Sequence, residues 1–429
     1  MARGMKDSGI AWIGEIPDGW QCRPIKNCFS VYSGATPKSE VTDFWDGDIV
    51  WITPADFKTQ DRIVSIGKRN LTKEGYSSCG TTLVPFGSII FSKRAPIGTV
   101  AVAGTDLCTN QGCLSCVPHE GVDTWYFYYA MSAFTEQFNL YGTGTTFKEI
   151  SYNDFVNFYL PLPSSFDQSH IAEFLDRRCK AIDQIMEQTR VTIEEYKKLR
   201  QSIITEAVTH GVRGPRKMKD SGVEWIGEIP EDWEVTRFKR LGSCRNGLTY
   251  SPADQCGEEG TLVLRSSNIQ NGKLSFDDCV YVNKEIPDEL MVHPNDILIC
   301  SRNGSAKLIG KNAIIPAGMT ASFGAFMMIY RCKKPKYLQY VLSSNIFNYY
   351  LGTFLTVSVN QLTGSNFDNI IFPYTSDDSE SEEIVQYLDI RCAKIDRLID
   401  SKQQLITELE AYKKSVIYEY VTGKREVPK

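Results

Sequence analysis

Metal ligation, nucleophilic catalysis and phosphate cradling each need particular side chains at particular spacings, and few of these occur in the chain. The four histidines, His119, His170, His210 and His293, are scattered, without the spacing of a metal site or a catalytic triad. Thirteen cysteines include one Cys-x-x-Cys, Cys113-Leu-Ser-Cys116, inside an apolar run. Without a second pair it reads as alternating core thiols rather than a zinc or redox centre. Gly304 to Lys311 has the wrong spacing for a phosphate-binding loop and runs on into Asn312. No Gly-x-Gly-x-x-Gly follows a strand, so no dinucleotide or methyl-donor fingerprint is present. Acidic residues are plentiful, but none form a pair spaced for acid–base work. The expectation is a chain with no catalytic centre, no metal and no cofactor of its own.

Composition bounds the alternatives. The 429 residues are 42% hydrophobic and 23% charged, as in globular proteins, and predict two or three domains. No apolar run reaches the roughly 18 residues of a membrane helix, and Met1 to Lys6 lacks the apolar core of an export signal. Together with so many cysteines, this predicts a cytoplasmic, reducing location with no membrane partner. Net charge is 47 − 52 = −5, unevenly spread. Residues 1–170 carry 13 − 17 = −4, residues 171–217 carry 10 − 7 = +3, residues 218–380 carry 15 − 19 = −4, and residues 381–429 carry 9 − 9 = 0. A nucleic-acid partner needs only one basic face, so the total neither supports nor excludes one.

The chain repeats itself at one offset. Met5-Lys-Asp-Ser-Gly-Ile-Ala-Trp-Ile-Gly-Glu-Ile-Pro17 recurs as Met218-Lys-Asp-Ser-Gly-Val-Glu-Trp-Ile-Gly-Glu-Ile-Pro230, 11 of 13 positions identical at a spacing of 213. Trp20 and Trp233 follow, and with Trp12 and Trp225 they read as core anchors. Leu175-Asp-Arg-Arg-Cys179 returns as Leu388-Asp-Ile-Arg-Cys392, Ile182-Asp183 as Ile395-Asp396, and Glu206, Val208 and Thr209 as Glu419, Val421 and Thr422. The chain is two half-molecules of like plan.

Each half ends in a long helix. Apolar residues at Leu175, Ile182, Ile185, Ile193, Tyr196, Leu199, Ile203 and Ala207 fall at sums of 3 and 4, as do Leu398, Leu405, Leu409, Tyr412 and Val416. Gly211 and Gly423 stand where a helix ends. Some 40 residues make a rod on the order of 60 Å. The two stripes are expected to pack as an antiparallel coiled coil, with Leu388 and Ile395 also in the contact and the outer faces meeting partners. Between the repeated frames, turn-punctuated strands are predicted at Ile49–Thr53, Ser88–Ser92 and Thr99–Val102, then at Thr261–Leu264, Asp296–Cys300 and Phe326–Tyr330. Helices are predicted at Trp125–Phe138 and Lys336–Tyr350. The fold class is α+β with a pseudo-two-fold internal repeat: residues 1–167 a first domain, 168–217 a first long helix, 218–380 a second domain, 381–429 a second long helix.

The repeated opening at Lys6–Pro17 and Lys219–Pro230, with helix starts at Ile171–Asp176 and Ile384–Asp389, resembles the specificity subunit of type I restriction-modification enzymes, over nearly the full length. The resemblance implies two target-recognition domains, each reading half of a split double-stranded DNA sequence, on a central coiled coil. It implies docking of two modification subunits, with restriction and translocase subunits as possible further partners. The chain is then not an enzyme; partner subunits methylate adenine with S-adenosylmethionine, and others use ATP and magnesium. The alternative is a coiled-coil scaffold that binds proteins without reading DNA.

Recognition needs donors on loops. Ser33-Gly-Ala-Thr36-Pro37 aligns with Asn246-Gly-Leu-Thr-Tyr250, and Phe91-Ser-Lys93-Arg94-Ala95 with Cys300-Ser-Arg302-Asn303-Gly304. Tyr141-Gly-Thr-Gly-Thr145-Thr146-Phe147, followed by Lys148, parallels Thr356-Val-Ser-Val-Asn360-Gln361-Leu362. Arg265 and Asn268 follow a strand much as Thr53 to Asp56 do. Thr36, Lys93, Arg94, Thr145, Thr146, Lys148, Arg265, Asn268, Arg302, Asn303, Asn360 and Gln361 are therefore the expected DNA contacts. The two domains differ, so the target is expected to be asymmetric, with the helices setting the gap between its halves. Inserting about one heptad into both helices is expected to lengthen the spacer of the methylated site; an unchanged spacer counts against a helical ruler.

Overall fold

The computed structural model describes residues 3–59, 61–144, 148–354 and 360–428. The chain divides into two compact units, residues 1–189 with 404–429, and residues 190–403. The divisions lie 403 − 189 = 214 positions apart, one residue from the repeat length. Each long helix, Ser165–His210 and Asp378–Val421, contributes its first part to one unit and its last part to the other.

In the first unit, a five-stranded sheet runs in the order Phe29–Ser33, Cys113–Pro118, Ile89–Ser92, Val100–Ala103, Ile63–Val64. All neighbours are antiparallel except the last pair. A smaller sheet pairs Trp45–Ile52 with Arg69–Leu71 and Cys108–Thr109. The helix Thr124–Ala133, capped by Asp123 Oδ1 accepting from Tyr126 N at 2.9 Å, buries Tyr126, Phe127 and Met131 in the main core. It stops at Phe134, and a second helix runs from Thr135 to Leu140, so the predicted single helix is two. In the second unit the sheet order is Gly242–Asn246, Met327–Cys332, Ile297–Cys300, Asn312–Ile314, wholly antiparallel. Its predicted helix is likewise two, Pro335–Leu342 and Asn345–Phe354. The strand predictions hold to within a few residues, Thr261–Leu264 without change.

Cys113 and Cys116 lie on one strand but in different apolar clusters, because neighbouring strand positions alternate in face. Two thiols on opposite faces cannot share a metal ion, and burial pushes both well above the usual thiol range. Among the described residues no group of three or more His, Cys, Asp or Glu could hold a metal ion, and no helix is long and apolar enough to cross a membrane.

The repeated opening is a hairpin in both units, Met5–Asp7 with Glu15–Pro17 and Met218–Asp220 with Glu228–Pro230. Its turns need left-handed backbone at Gly9, Gly14, Gly222 and Gly227, which is why four glycines recur. In the first unit Ile13, Ile16 and Trp20 pack with Val416, Ile417 and Tyr420 of the second long helix. In the second unit Ile229 and Trp233 pack with Ile204, Ala207 and Val208 of the first. Ile16 and Trp20 correspond to Ile229 and Trp233 at the repeat offset, and Ile417 and Tyr420 to Ile204 and Ala207. Arg3 lies over Trp20 and pairs with Asp167; Arg216 lies over Trp233 and pairs with Glu380.

The helical stripe departs from prediction by one residue in places. The positions 175, 179, 182, 186, 189, 193, 196, 200, 203 and 207, stepping 4-3 throughout, are all buried or half-buried, as are their counterparts 388, 392, 395, 399, 402, 406, 409, 413, 416 and 420. Leu175, Ile182, Leu388 and Ile395 are buried as expected, and Tyr196, Ile203 and Leu409 are half-buried on the stripe. Ile185 is a correction: it is 46% exposed, because Met186 takes the inward place, whereas Tyr412 is 44% exposed beside the inward Lys413 and its hydroxyl accepts from Arg178 Nη2 of the first helix at 3.3 Å. Leu405 is half-buried beside the inward Ile406. Cys179 and Thr189 complete the first stripe, and the Thr189 hydroxyl donates to Ile185 O at 2.7 Å. Within the first unit Asp183 accepts from Lys413 Nζ at 2.6 and 2.7 Å. Within the second, Asp396 accepts from Arg200 Nε at 3.0 Å. These two pairs correspond at the offset of 213, and in each unit they set the helices antiparallel.

The helices also begin earlier than predicted, at Ser165 and Asp378, where Ser164 and Asp377 accept from Asp167 N and Ser379 N. They end at His210 and Val421, so residues 211–217 and 422–428 lie outside them. The Asp of the repeated Leu-Asp motif accepts a phenol from the domain it follows: Tyr129 donates to Asp176 at 2.6 Å, and Tyr340 to Asp389 at 2.7 Å.

Gly34 and Gly247, equivalent in the two halves, run so close to the next strand that a Cβ would sit 2.2 Å from carbonyl oxygens of residues 109–110 and 2.2–2.3 Å from those of residues 323–324. Gly247→Ala is expected to lower stability by about 1–3 kcal/mol through backbone displacement. The control Gly352→Ala, in a helix with open space around it, is expected to be neutral or stabilising. Urea unfolding midpoints of the two variants check this.

Candidate nucleic-acid interface

In each unit a buried strand delivers a basic loop into the same backbone frame. In the first unit, the strand Ile89–Ser92 leads to Lys93 and Arg94. Lys93 N donates to Gly112 O at 2.8 Å, and Ile150 N donates to Lys93 O at 3.1 Å. Arg94 forms an antiparallel bridge with Glu149, and the Ser92 hydroxyl donates to Arg94 O at 2.7 Å. In the second unit, the strand Ile297–Cys300 leads to Ser301 and Arg302. Ser301 N donates to Phe326 O at 3.0 Å, and Leu362 N donates to Ser301 O at 2.7 Å. Arg302 bridges to Gln361, and the Cys300 thiol lies 3.7 Å from Arg302 O. The frame therefore matches Arg94 with Arg302 and Glu149 with Gln361. The sequence alignment of these loops, which paired Lys93 with Arg302, was off by one.

The side chains on that frame differ. In the first unit the Glu149 carboxylate takes Lys93 Nζ at 2.8 Å and Arg94 Nη1 at 3.5 Å. In the second, Gln361 is neutral, and Arg302 has no ion-pair partner among the described residues. Its guanidinium lies 5.2 Å from the ring of Phe326, which is 58% exposed. Where Phe326 stands, the first unit has Gly112.

One further loop, at Ser266, meets the second unit's frame. Asn303 Nδ2 donates to Ser266 Oγ at 3.1 Å, and its Oδ1 accepts from Ser305 N at 3.0 Å. Asn360 Nδ2 donates to Gly304 O at 3.2 Å. The structure thus brings Arg302, Asn303, Asn360 and Gln361 together. Arg265 is half-buried and pairs with Asp278 at 2.7 Å. In the first unit Thr36 donates to Gln111 beside Gly112, so it joins Lys93 and Arg94. Lys148 is exposed next to Glu149. Thr145 and Thr146 lie outside the described residues.

Asn268 is a correction. It is fully buried; its Oδ1 accepts from Arg265 N at 2.8 Å, and its Nδ2 donates to Ser275 O and Asp278 O, both at 3.0 Å. Both amide hydrogens are used and the residue is fully buried, so it presents nothing to a base edge. Asp56 accepts from Thr53 N at 2.8 Å in the same way. These residues hold a turn, which either Asn or Asp can do. Glu149 and Phe326 are the site residues that sequence reasoning missed. Glu149 adjoins Lys148, but a search for donors passes over a carboxylate.

The family described as type I restriction modification DNA specificity domain matches residues 17–195. The chain is 30% identical over 306 residues to the type I restriction enzyme MjaIX specificity subunit of Methanocaldococcus jannaschii, covering 71% of this chain and 67% of that one. It is 26% identical over 206 residues to the EcoKI specificity subunit of Escherichia coli, covering 46% of this chain and 44% of that protein, less than half its length. In fold it is similar to a chain solved in work on assembly and conformational transition of a type I restriction–modification system. The TM-score is 0.71 at 13% identity, over 96% of this chain and 99% of the other.

Glu149→Gln removes the carboxylate that holds Lys93 and Arg94. It is expected to raise affinity for duplex DNA of any sequence and to steepen the dependence of log K on log salt by up to about one unit. Titrations at several salt concentrations check this.

Proposed function

We propose that this chain, which belongs to the type I restriction enzyme specificity subunits, reads a two-part, asymmetric DNA target with one half-site per unit. Members of this family recognise DNA within a larger restriction–modification complex and carry no catalysis themselves. The observation that supports a two-part reading is the common loop frame at Arg94 and Arg302. The backbone is held alike in both units, so each presents its loop to a duplex in the same manner. The side chains on it differ, so the two units read different bases. Arg302, with an uncommitted guanidinium beside amide side chains, suits a guanine edge or an adjacent phosphate. The outer helix faces would dock two modification subunits, which would bring S-adenosylmethionine. Restriction and translocase subunits would bring the ATP and magnesium chemistry.

The test is co-expression with the modification subunit encoded beside it, followed by mapping of methylated adenines. One split, asymmetric motif that needs both chains is expected. Arg302→Ala is expected to relax or lose a single base pair in one half of that motif, at a cost of about 1–3 kcal/mol, with the other half unchanged. A motif identical in wild type and variant removes Arg302 from the site. A soluble complex that methylates nothing and shifts no DNA favours a protein-only scaffold.

A further inference from the structure

The two units follow one plan along their helices, and they part where the first long helix ends. In the second unit an open groove of about 470 Å³ is lined by Ser202, Ile203, Glu206, Ala207, His210 and Tyr387, among others. At the repeat offset the corresponding first-unit residues are Ser415, Val416, Glu419, Tyr420, Gly423 and Phe174. There the Tyr420 ring lies 4.5 Å from Phe174, and Arg425 sits 5.9 Å from the other ring centroid, that of Tyr420. Val427 packs on the same core. In the second unit Ala207 stands in place of Tyr420, and Val212 and Gly214 in place of Arg425 and Val427. Among the described residues Tyr387 therefore has no aromatic ring against it; the Arg391 guanidinium lies 5.9 Å from its ring centroid, and Tyr387 is 39% exposed. One helical turn on, Ile390 is 72% exposed, where the first unit has Arg177.

We infer that this groove is a socket for an aromatic side chain of a partner protein, which takes the place that the chain's own Tyr420 fills in the first unit. The inference rests on the reading that partner subunits dock on the helices. The occupant follows from the repeat, since the same frame packs a phenol ring against the residue equivalent to Tyr387. An aromatic side chain brings the large apolar area that anchors interfaces; Ser202, Glu206 and His210 make part of the groove wall polar, and the exposed Ile390 adds apolar surface one helical turn from Tyr387. The Glu206 carboxylate on the groove wall disfavours a nucleic-acid phosphate there. The two halves then offer unequal docking surfaces, and two copies of one partner bind with different strengths.

The test titrates the full-length chain with its co-encoded modification subunit, resolving the two binding steps by native mass spectrometry. Ala207→Tyr restores the first unit's residue, and Ser202→Trp fills the groove from an exposed position that does not perturb the core. Each is expected to weaken one step roughly tenfold or more and leave the other as in wild type. p-Cresol, the tyrosine side-chain analogue, is expected to bind the wild-type chain saturably and the Ala207→Tyr chain not at all. If both variants melt as wild type does and bind two copies with wild-type affinities, the inference is overturned. If the wild-type chain captures no modification subunit, the docking reading itself has failed. The p-cresol titration then decides the socket alone, and absence of saturable binding overturns it.

Discussion

A helix of 44 or 46 residues cannot leave its apolar stripe in water, and the rest of this chain is arranged around that constraint. Each fully buried Leu or Ile on the stripe contributes about 1.5–3 kcal/mol. The ion pairs Asp183–Lys413 and Arg200–Asp396 are half-exposed, and pairs of that kind contribute about 0–1 kcal/mol. The stripe therefore supplies the stability, whereas the ion pairs select one register among the several that a 4-3 repeat permits. One pair falls in each unit, at corresponding positions, so each unit fixes the alignment of its own helix segments. The opening hairpin then closes over the helix end through Trp20 or Trp233. Because the first unit takes the last part of the second long helix, its core is complete only when residues 404–421 are present.

Much of this was legible in the repeat. Identities at an offset of 213 predict equivalent contacts, and the hairpins and the tryptophan anchors occupy equivalent places, whereas the helix-ending Gly211 and Gly423 are one position out of register. What escaped was the stripe's phase. A search for apolar residues prefers Ile185 to Met186 and Cys179, and it never selects Thr189, Lys402 or Lys413. A seam tolerates these because Thr can bond its own helix backbone and Lys can bury its stem, Lys413 with its ammonium on the Asp183 carboxylate. Asp176 and Asp389 were likewise visible as a motif but not as phenol acceptors. Their partners, Tyr129 and Tyr340, lie in the divergent domains, where only the short pattern Tyr126-x-x-Tyr129-x-x-Ser132 returns as Tyr337-x-x-Tyr340-x-x-Ser343, two residues off the repeat spacing of 213.

At the reading loops the limit was of a different kind. Arg94 and Arg302 could be found from residue type beside a turn, and the structure places them on one frame. Asn268 has the same composition-level credentials, and it spends every polar atom on a turn. Burial distinguishes the two cases, and burial in a loop depends on what the neighbouring segments do. Glu149 shows the converse problem. A carboxylate is repelled by phosphate, yet it can hold two cations in position until a stronger anion arrives. It also accepts from a base amino group where a neutral amide such as Gln361 both donates and accepts.

The pattern of retained and altered residues follows the work each does. Where a residue satisfies the chain's own frame, the repeat keeps it or a near substitute: Gly34 and Gly247, Asp183 and Asp396, Asp56 and Asn268. Elsewhere the halves diverge: Glu149 against Gln361 and Gly112 against Phe326 on the loops, and Tyr420 against Ala207 at buried helix positions. Divergence on the loops is what two different half-sites require. Divergence at Tyr420 and Ala207 is not explained by DNA, because those positions lie on the helices and not on the reading loops. Filling that space from within adds apolar burial to one unit at no cost in partner-binding entropy. Leaving it open forgoes that stability, and an open, aromatic-walled groove beside an exposed isoleucine is stabilised only when something else enters it.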